Sequence, residues 1–84
     1  MLRIERIAEN GRSRLRLSGA LRSTELDEAR SEIRKLAPQI VLDLAEVGLV
    51  DREGVRWLNA CRSLGVEVEN CAPYILEWMA QESL

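Results

Sequence analysis

Few side chains in this sequence are suited to catalysis, and histidine is absent. Without an imidazole, no Ser-His-Asp or Cys-His pair can form, and the usual general base near neutral pH is missing. Two carboxylates, Glu67 and Glu69, stand two positions apart, and such a pair could in principle serve acid–base chemistry. Because they fall on a predicted strand, we expect them to be solvated surface charges. The sequence therefore predicts that the chain is not an enzyme.

The two cysteines, Cys61 and Cys71, are predicted to be free thiols. A structural zinc site needs about four Cys or His ligands, so we expect no metal bound by this chain alone. Cys61 falls on the apolar stripe of a predicted helix, which indicates core packing. Trp57 and Trp78 also indicate packing. No glycine-rich phosphate loop is present, and we expect no cofactor.

Length, charge and hydropathy limit the remaining function classes. The chain has 84 residues and a net charge of -2, which suits a single domain over residues 1–84. Without an excess of basic residues, we expect no nucleic-acid partner. The segment Met1–Arg12 lacks the apolar region of a signal peptide, and the run Ile40–Leu42 is too short to span a bilayer. The sequence predicts a cytoplasmic protein that does not insert into membranes.

Alternating apolar and charged residues, together with one apolar run, predict strands. The four predicted strands are residues 2–5, 14–17, 40–44 and 66–69. Asn10-Gly11 predicts a hairpin turn between the first two strands. Residues 45–50 are predicted to form a loop after the third strand.

Three helices are predicted between and after these strands, which gives the order β-β-α-β-α-β-α. Apolar residues recur at helical spacing in each of them. Their boundaries are marked by Thr24 and Asp27 (a capping-box pair), Pro38, Asp51 (an N-cap), Gly65 and Pro73.

The distribution of charge across the strands predicts how the layers stack. Arg14 and Arg16 share one face of the second strand, and Glu67 and Glu69 share one face of the last. A sheet covered by helices on both sides would be apolar on both faces. We therefore predict a two-layer α/β domain with a mixed sheet, an N-terminal hairpin and helices mainly on one face.

The segment 47–54 is the remaining candidate for function. Each of its polar residues has a structural explanation: Asp51 as an N-cap, Glu53 as an acid favoured at a helix start, and Arg52 as a solvated cation. A helix start at the carboxyl end of a parallel strand is nevertheless a common recognition site. These residues alone indicate a small α/β interaction module.

The same region resembles the central signature of STAS domains. The matching residues are Val41-Leu42-Asp43-Leu44-Ala45-Glu46-Val47, Val50-Asp51, Gly54 and Leu58. Residues 15–19 are similar to the family's second strand and its glycine, and residues 65–70 to the strand after its second helix. The resemblance covers residues 2–82 and implies a β–α superhelix with helices mostly on one side.

For function, the resemblance implies a protein–protein adaptor of the anti-sigma-factor antagonist type. Such adaptors bind a serine-kinase anti-sigma factor and release the sigma factor, and phosphorylation of the second serine in an Asp-Ser-Ser-Gly segment breaks the complex. This chain departs from the pattern, because Glu53 occupies the phosphoacceptor position. Either Glu53 imitates a phosphorylated serine with a smaller charge, or the phospho-switch is lost.

The leading expectation is a non-catalytic STAS adaptor that binds an anti-sigma factor kinase or a related bacterial regulator. The expected partner-binding residues are Ser18, Ser23, Thr24, Gly48, Asp51, Arg52, Glu53 and Gly54. The alternative is a small STAS subunit that regulates the ATPase of a lipid-transport ABC complex. Many family members continue into another strand after the third helix. Its omission here favours pairing of a sheet edge with a partner, or with a second copy as a homodimer.

Overall fold

The elements of the protein follow the predicted order β-β-α-β-α-β-α. The structure, a computed structural model, describes residues 2–36 and 39–83. Its elements are β1 (Leu2–Glu9), β2 (Arg12–Leu21), a 3₁₀ turn (Ser23–Glu25), α1 (Leu26–Leu36), β3 (Ile40–Val50), α2 (Arg52–Ser63), β4 (Glu67–Glu69) and α3 (Pro73–Glu82). The predicted α/β fold class is confirmed.

The strands form one mixed sheet in the order β1-β2-β3-β4. β1 and β2 are antiparallel and are joined at Asn10 and Gly11, whose φ angles of 45° and 78° are those of a primed hairpin turn. β3 runs parallel to β2 on one side and to β4 on the other. The parallel strands are connected through α1 and α2, as predicted.

β3 is longer than the sequence predicted. Residues 45–50, predicted to be a loop, continue the strand and pair with β2 as far as Leu21 opposite Val50. Two register shifts each leave one extra residue in β3, at residues 44–45 and at Gly48. The predicted loop is therefore wrong, because such bulges break the alternation that marks a strand while pairing with β2 continues.

The start of α1 also differs from its prediction. Thr24 lies inside the 3₁₀ turn, so the predicted capping box of Thr24 and Asp27 does not begin this helix. The turn is closed by the Glu25 amide, which donates to the Arg22 carbonyl at 2.9 Å. The predicted end of the helix at Pro38 lies outside the described residues.

α2 and α3 begin and end close to their predicted boundaries. Asp51 is the N-cap of α2. At the other end, the amides of Gly65 and Val66 donate to the carbonyls of Arg62 and Cys61 at 3.0 and 3.1 Å, which is a Schellman motif. α3 begins at its predicted proline.

The hydrophobic core lies between one face of the sheet and the helices. Its buried side chains include Leu15, Leu17, Leu42 and Leu44 from the strands and Leu26, Ala29, Ile33, Val55, Trp57, Leu58, Cys61, Ile75 and Met79 from the helices. Charged side chains occupy the opposite face, so the helices cover one side, as predicted. Cys61 and the partly buried Cys71 are free thiols. Within the described ranges, no helix combines the length and the apolar composition needed to cross a bilayer.

Candidate functional site

Asp51 connects the ends of β2 and β3 to the start of α2. Its Oδ1 accepts a hydrogen bond from the Gly54 amide at 2.8 Å, and its Oδ2 accepts one from the Ser23 amide at 2.9 Å. Its own amide donates to the Leu21 carbonyl at 3.2 Å. The bond from Ser23, followed by that from Gly54, lowers the pKa of the Asp51 carboxyl, because each bond favours the charged form. One carboxylate thus holds together the start of α2 and the turn that precedes α1.

Gly54 permits the close approach of α2 to the end of β2. It is buried in the first turn of α2, and a Cβ placed on it would collide with the carbonyl oxygen of Leu21. Because protein interiors are close-packed, a larger side chain would have to push α2 away from β2. The double hydrogen bonding of Asp51 depends on this approach, since its two donors lie on the two segments that Gly54 brings together.

The exposed side chains at the start of α2 form a chain of ion pairs. Glu53 Oε1 lies 3.2 Å from Arg56 Nη1. The Nε atoms of Arg56 and Arg52 lie 3.2 and 3.6 Å from the two carboxylate oxygens of Glu82 in α3. The side chains of Arg52 and Glu53 are 65% and 50% exposed. Exposed pairs of this kind contribute less than about 1 kcal/mol to stability, so a partner can exchange them at little cost.

The predicted partner-binding residues do not all lie in one place. Those at the helix start form the α2 N-terminal surface, which consists of Ser23, Asp51, Arg52, Glu53 and Gly54. Thr24 follows Ser23 in the exposed 3₁₀ turn. Gly48 is exposed in β3, where its carbonyl accepts a hydrogen bond from the Tyr74 hydroxyl at 3.3 Å. Ser18 lies in β2, three residues before Leu21 and thus about 10 Å before the end of that strand.

A buried carboxylate that the sequence analysis missed lies on the opposite face of the sheet. Asp43 is 5% exposed, and its Oδ1 accepts hydrogen bonds from Asn70 Nδ2 at 3.0 Å and from the Ala45 amide at 3.1 Å. Its Oδ2 lies 3.3 Å from Arg14 Nη1. The bond from Asn70 is the largest cause that lowers the pKa of Asp43, and together these contacts outweigh the opposing effect of burial. The signal in the sequence was a single aspartate inside the apolar run 40–44.

Arg14 extends this cluster across the charged face of the sheet. Its Nε bonds to Glu9 at 3.1 Å and its Nη2 to Glu69 at 3.0 Å, and these contacts raise the pKa of the guanidinium, with Glu69 the largest cause. Glu67 lies 3.3 Å from Arg12. The two carboxylates predicted to be solvated are therefore members of ion pairs, with Glu69 partly buried and Glu67 exposed. The cluster links all four strands through charge-assisted bonds.

The surroundings of the two cysteines suppress the reactivity of their thiols. Burial raises the pKa of the Cys61 thiol to about 12, and burial also raises the pKa of the Cys71 thiol. A thiol with a raised pKa is a poor nucleophile near neutral pH. Across residues 2–36 and 39–83, no group of three or more His, Cys, Asp or Glu side chains is placed to hold a metal ion.

Comparison with known proteins assigns no family: no protein-family model matches the chain, and no curated protein matches it. The α2 N-terminal surface combines a carboxylate fixed by two amides with exposed side chains of both charges beside it.

Proposed function

We propose that the chain is a non-catalytic, STAS-like adaptor that binds a bacterial regulatory protein in the cytoplasm through the α2 N-terminal surface. The partner class that the resemblance implies is a serine-kinase anti-sigma factor, and the implied role is signal transduction to transcription. The observation that carries the proposal is the double hydrogen bonding of Asp51, which holds Arg52 and Glu53 at the carboxyl end of two parallel strands. Helix starts at such strand ends are common recognition sites.

The rigidity of this surface supports a binding role. Asp51 is tied to the 3₁₀ turn, to β2 and to the first turn of α2, so the backbone that carries Arg52 is ordered before any partner arrives. Binding to a preorganised surface avoids part of the entropy that ordering a loop would cost. The exposed charges of both signs suit a partner of complementary pattern, which sets specificity and the rate of association.

Glu53 is central to how such binding would be regulated. Its carboxylate carries one charge, and that charge already faces Arg56 at 3.2 Å. If Glu53 replaces a phosphorylated serine, its negative charge keeps the affinity for the partner permanently low. If the switch is lost, Glu53 serves only as a favourable acid at the helix start.

The first experiment identifies the partner. The tagged chain is used to capture proteins from an extract of the source organism, which are then identified by mass spectrometry. The bait is compared with the double variant Arg52→Ala/Glu53→Ala. Glu28→Ala/Lys35→Ala is the matched control, because it also removes one exposed acid and one exposed base, but on α1. Recovery of a kinase-type anti-sigma factor that only the first variant loses supports the proposal.

Two other outcomes decide against parts of it. Recovery of the ATPase of a lipid-transport ABC complex favours the alternative function. Equal capture by the double variant and the wild type removes the α2 N-terminal surface as the binding site. Sedimentation of the purified chain tests the homodimer that an open sheet edge favours.

The second experiment separates the two roles of Glu53, using calorimetry with the purified partner. Glu53→Gln keeps the size of the side chain and removes its charge, whereas Glu53→Ser restores a hydroxyl. If Glu53 replaces a phosphoserine, both variants bind at least about tenfold more tightly, which corresponds to about 1.4 kcal/mol. If the switch is simply lost, Glu53→Gln binds with the affinity of the wild type.

A further inference from the structure

We propose that the chain has a second docking surface, a crevice between α1 and α2 that binds an acidic amphipathic helix of a protein partner. The crevice is lined by Arg30, Ile33, Arg34, Trp57, Ala60, Cys61 and Leu64. These residues lie on α1 and on α2 from Trp57 to its C-cap Leu64, whereas Arg52 and Glu53 lie in the first turn of α2. The inference therefore does not rest on the proposed function.

The inner wall of the crevice is apolar and the outer wall is accessible. Ile33, Trp57 and Cys61 are 4%, 7% and 1% exposed and belong to the core. Leu64 is 60% exposed, and the neighbouring Ala60 is exposed and small. An apolar side chain inserted here would cover Leu64 and contact a preformed apolar wall, which is the arrangement of a helix-in-groove site.

The charge around the crevice is opposite to that of the whole chain. The chain has a net charge of -2, but the lining residues include two arginines and no carboxylate. Arg30 has a weak pair with the 99% exposed Asp27 at 3.7 Å. In the part of the chain that the structure describes, no ion pair involves Arg34. The unpaired Arg34 and the weakly paired Arg30 on the rim are complementary to carboxylates on a partner.

Size and spacing favour a helix as the occupant. The crevice has a volume of about 200 Å³, below the roughly 300–1,000 Å³ of small-molecule sites, so it fits a protein side chain better than a free ligand. Arg30 and Arg34 are four residues apart on α1, about 6 Å along its axis. Two carboxylates one turn apart on a partner helix would have the same spacing as Arg30 and Arg34. An apolar side chain between these carboxylates would then point into the crevice.

Trp57 provides a direct readout of binding, since it lines the crevice and Trp78 is the other tryptophan. In a Trp78→Phe background, the fluorescence of Trp57 is followed while a synthetic peptide is added. The probe is a helical peptide of about 14 residues, roughly four turns, with leucines on one face and flanking glutamates. We expect saturable binding with a Kd on the order of 10–100 µM. A peptide with glutamine in place of every glutamate should bind at least about fivefold more weakly.

Variants of the chain test the site itself. Arg30→Glu/Arg34→Glu should weaken binding at least about tenfold, because it replaces attraction by repulsion. Leu64→Ser should weaken it about fivefold, because it removes apolar area from the rim. Arg3→Glu/Arg22→Glu is the matched control, with the same charge change at exposed cations outside the crevice. Circular dichroism of each variant checks that the fold is intact.

Several results would overturn the proposal. The first is a Trp57 fluorescence signal that does not change up to about 1 mM peptide. The second is a loss of peptide affinity that is equal for Arg30→Glu/Arg34→Glu and for the control Arg3→Glu/Arg22→Glu. If the chain self-associates, Leu64→Ser abolishes this self-association and the peptide has no effect on it, the crevice binds a second copy of the chain instead. Binding to anionic lipid vesicles but not to the peptide would assign it to a membrane surface.

Discussion

Replacing Asp51 by alanine is expected to destabilise the fold by more than the loss of an ordinary helix cap. The substitution removes acceptors from the Gly54 amide at 2.8 Å and from the Ser23 amide at 2.9 Å. Loss of an N-cap costs about 1 kcal/mol, and loss of a second hydrogen bond to a charged group, exposed here, adds about 1.5 kcal/mol. The expected total is about 2–3 kcal/mol at neutral pH. A domain of this length has a free energy of unfolding of about 4–13 kcal/mol, so the loss is a large share.

The assay is urea unfolding followed by circular dichroism at pH 7. Asp27→Ala is the matched control, because Asp27 is also an acid in a first helical turn but is 99% exposed. We expect the control to lose at most about 0.5–1 kcal/mol. Asp51→Asn keeps one acceptor oxygen and should lose about 1 kcal/mol. If Asp51→Ala loses no more than Asp27→Ala, the double hydrogen bonding does not stabilise the fold as we reason.

The pH dependence gives a second check with a definite sign. The folded-state pKa of Asp51 is lowered, so its contribution is present above the unfolded pKa of about 3.9 and is lost as pH falls through the folded pKa. The difference in stability between the wild type and Asp51→Asn should therefore stay constant from about pH 7 to 5 and shrink below about pH 4. A difference that grows on acidification would contradict this reasoning.

Three further substitution or reactivity experiments test other parts of the structure. Gly54→Ala should lower the free energy of unfolding by at least about 2 kcal/mol, because the added Cβ would collide with the Leu21 carbonyl. This loss is expected although alanine is the better helix former by about 1 kcal/mol. A thermal melt equal to that of the wild type would refute the close approach of α2 to β2. A thiol reagent at pH 8 should modify Cys71 well before Cys61, because burial raises the pKa of the Cys61 thiol to about 12 and leaves this residue only 1% exposed. Mass spectrometry measures the two modification rates, and equal rates would contradict this expectation. Asp43→Ala should cost about 2–3 kcal/mol in urea unfolding, because it leaves buried donors and cations without their acceptor; a neutral effect would show that the cluster is not stabilising.

Much of the fold was predictable because its signals are local. Alternation of apolar and charged residues marks the strands, and the hairpin turn follows from Asn10-Gly11, whose φ angles are both positive. The N-cap Asp51, the stop at Gly65 and the start at Pro73 each act within about one turn of their own helix. Which face of the sheet the helices cover was also predictable, because charged residues on one face of a strand indicate that this face is exposed to water.

The features that escaped prediction depend on residues far apart in the chain. Asp51 bonds the Ser23 amide across 28 residues, and Asp43 accepts a hydrogen bond from Asn70 across 27. Neither pairing has a local pattern, because side-chain hydrogen bonds between distant segments depend on how the strands and helices pack. β3 likewise extends beyond its apolar run because the backbone of β2 is there to pair with it. The sequence thus specifies the elements and the faces they bury, whereas packing decides which polar groups meet, because that choice depends on distances that only the assembled fold sets.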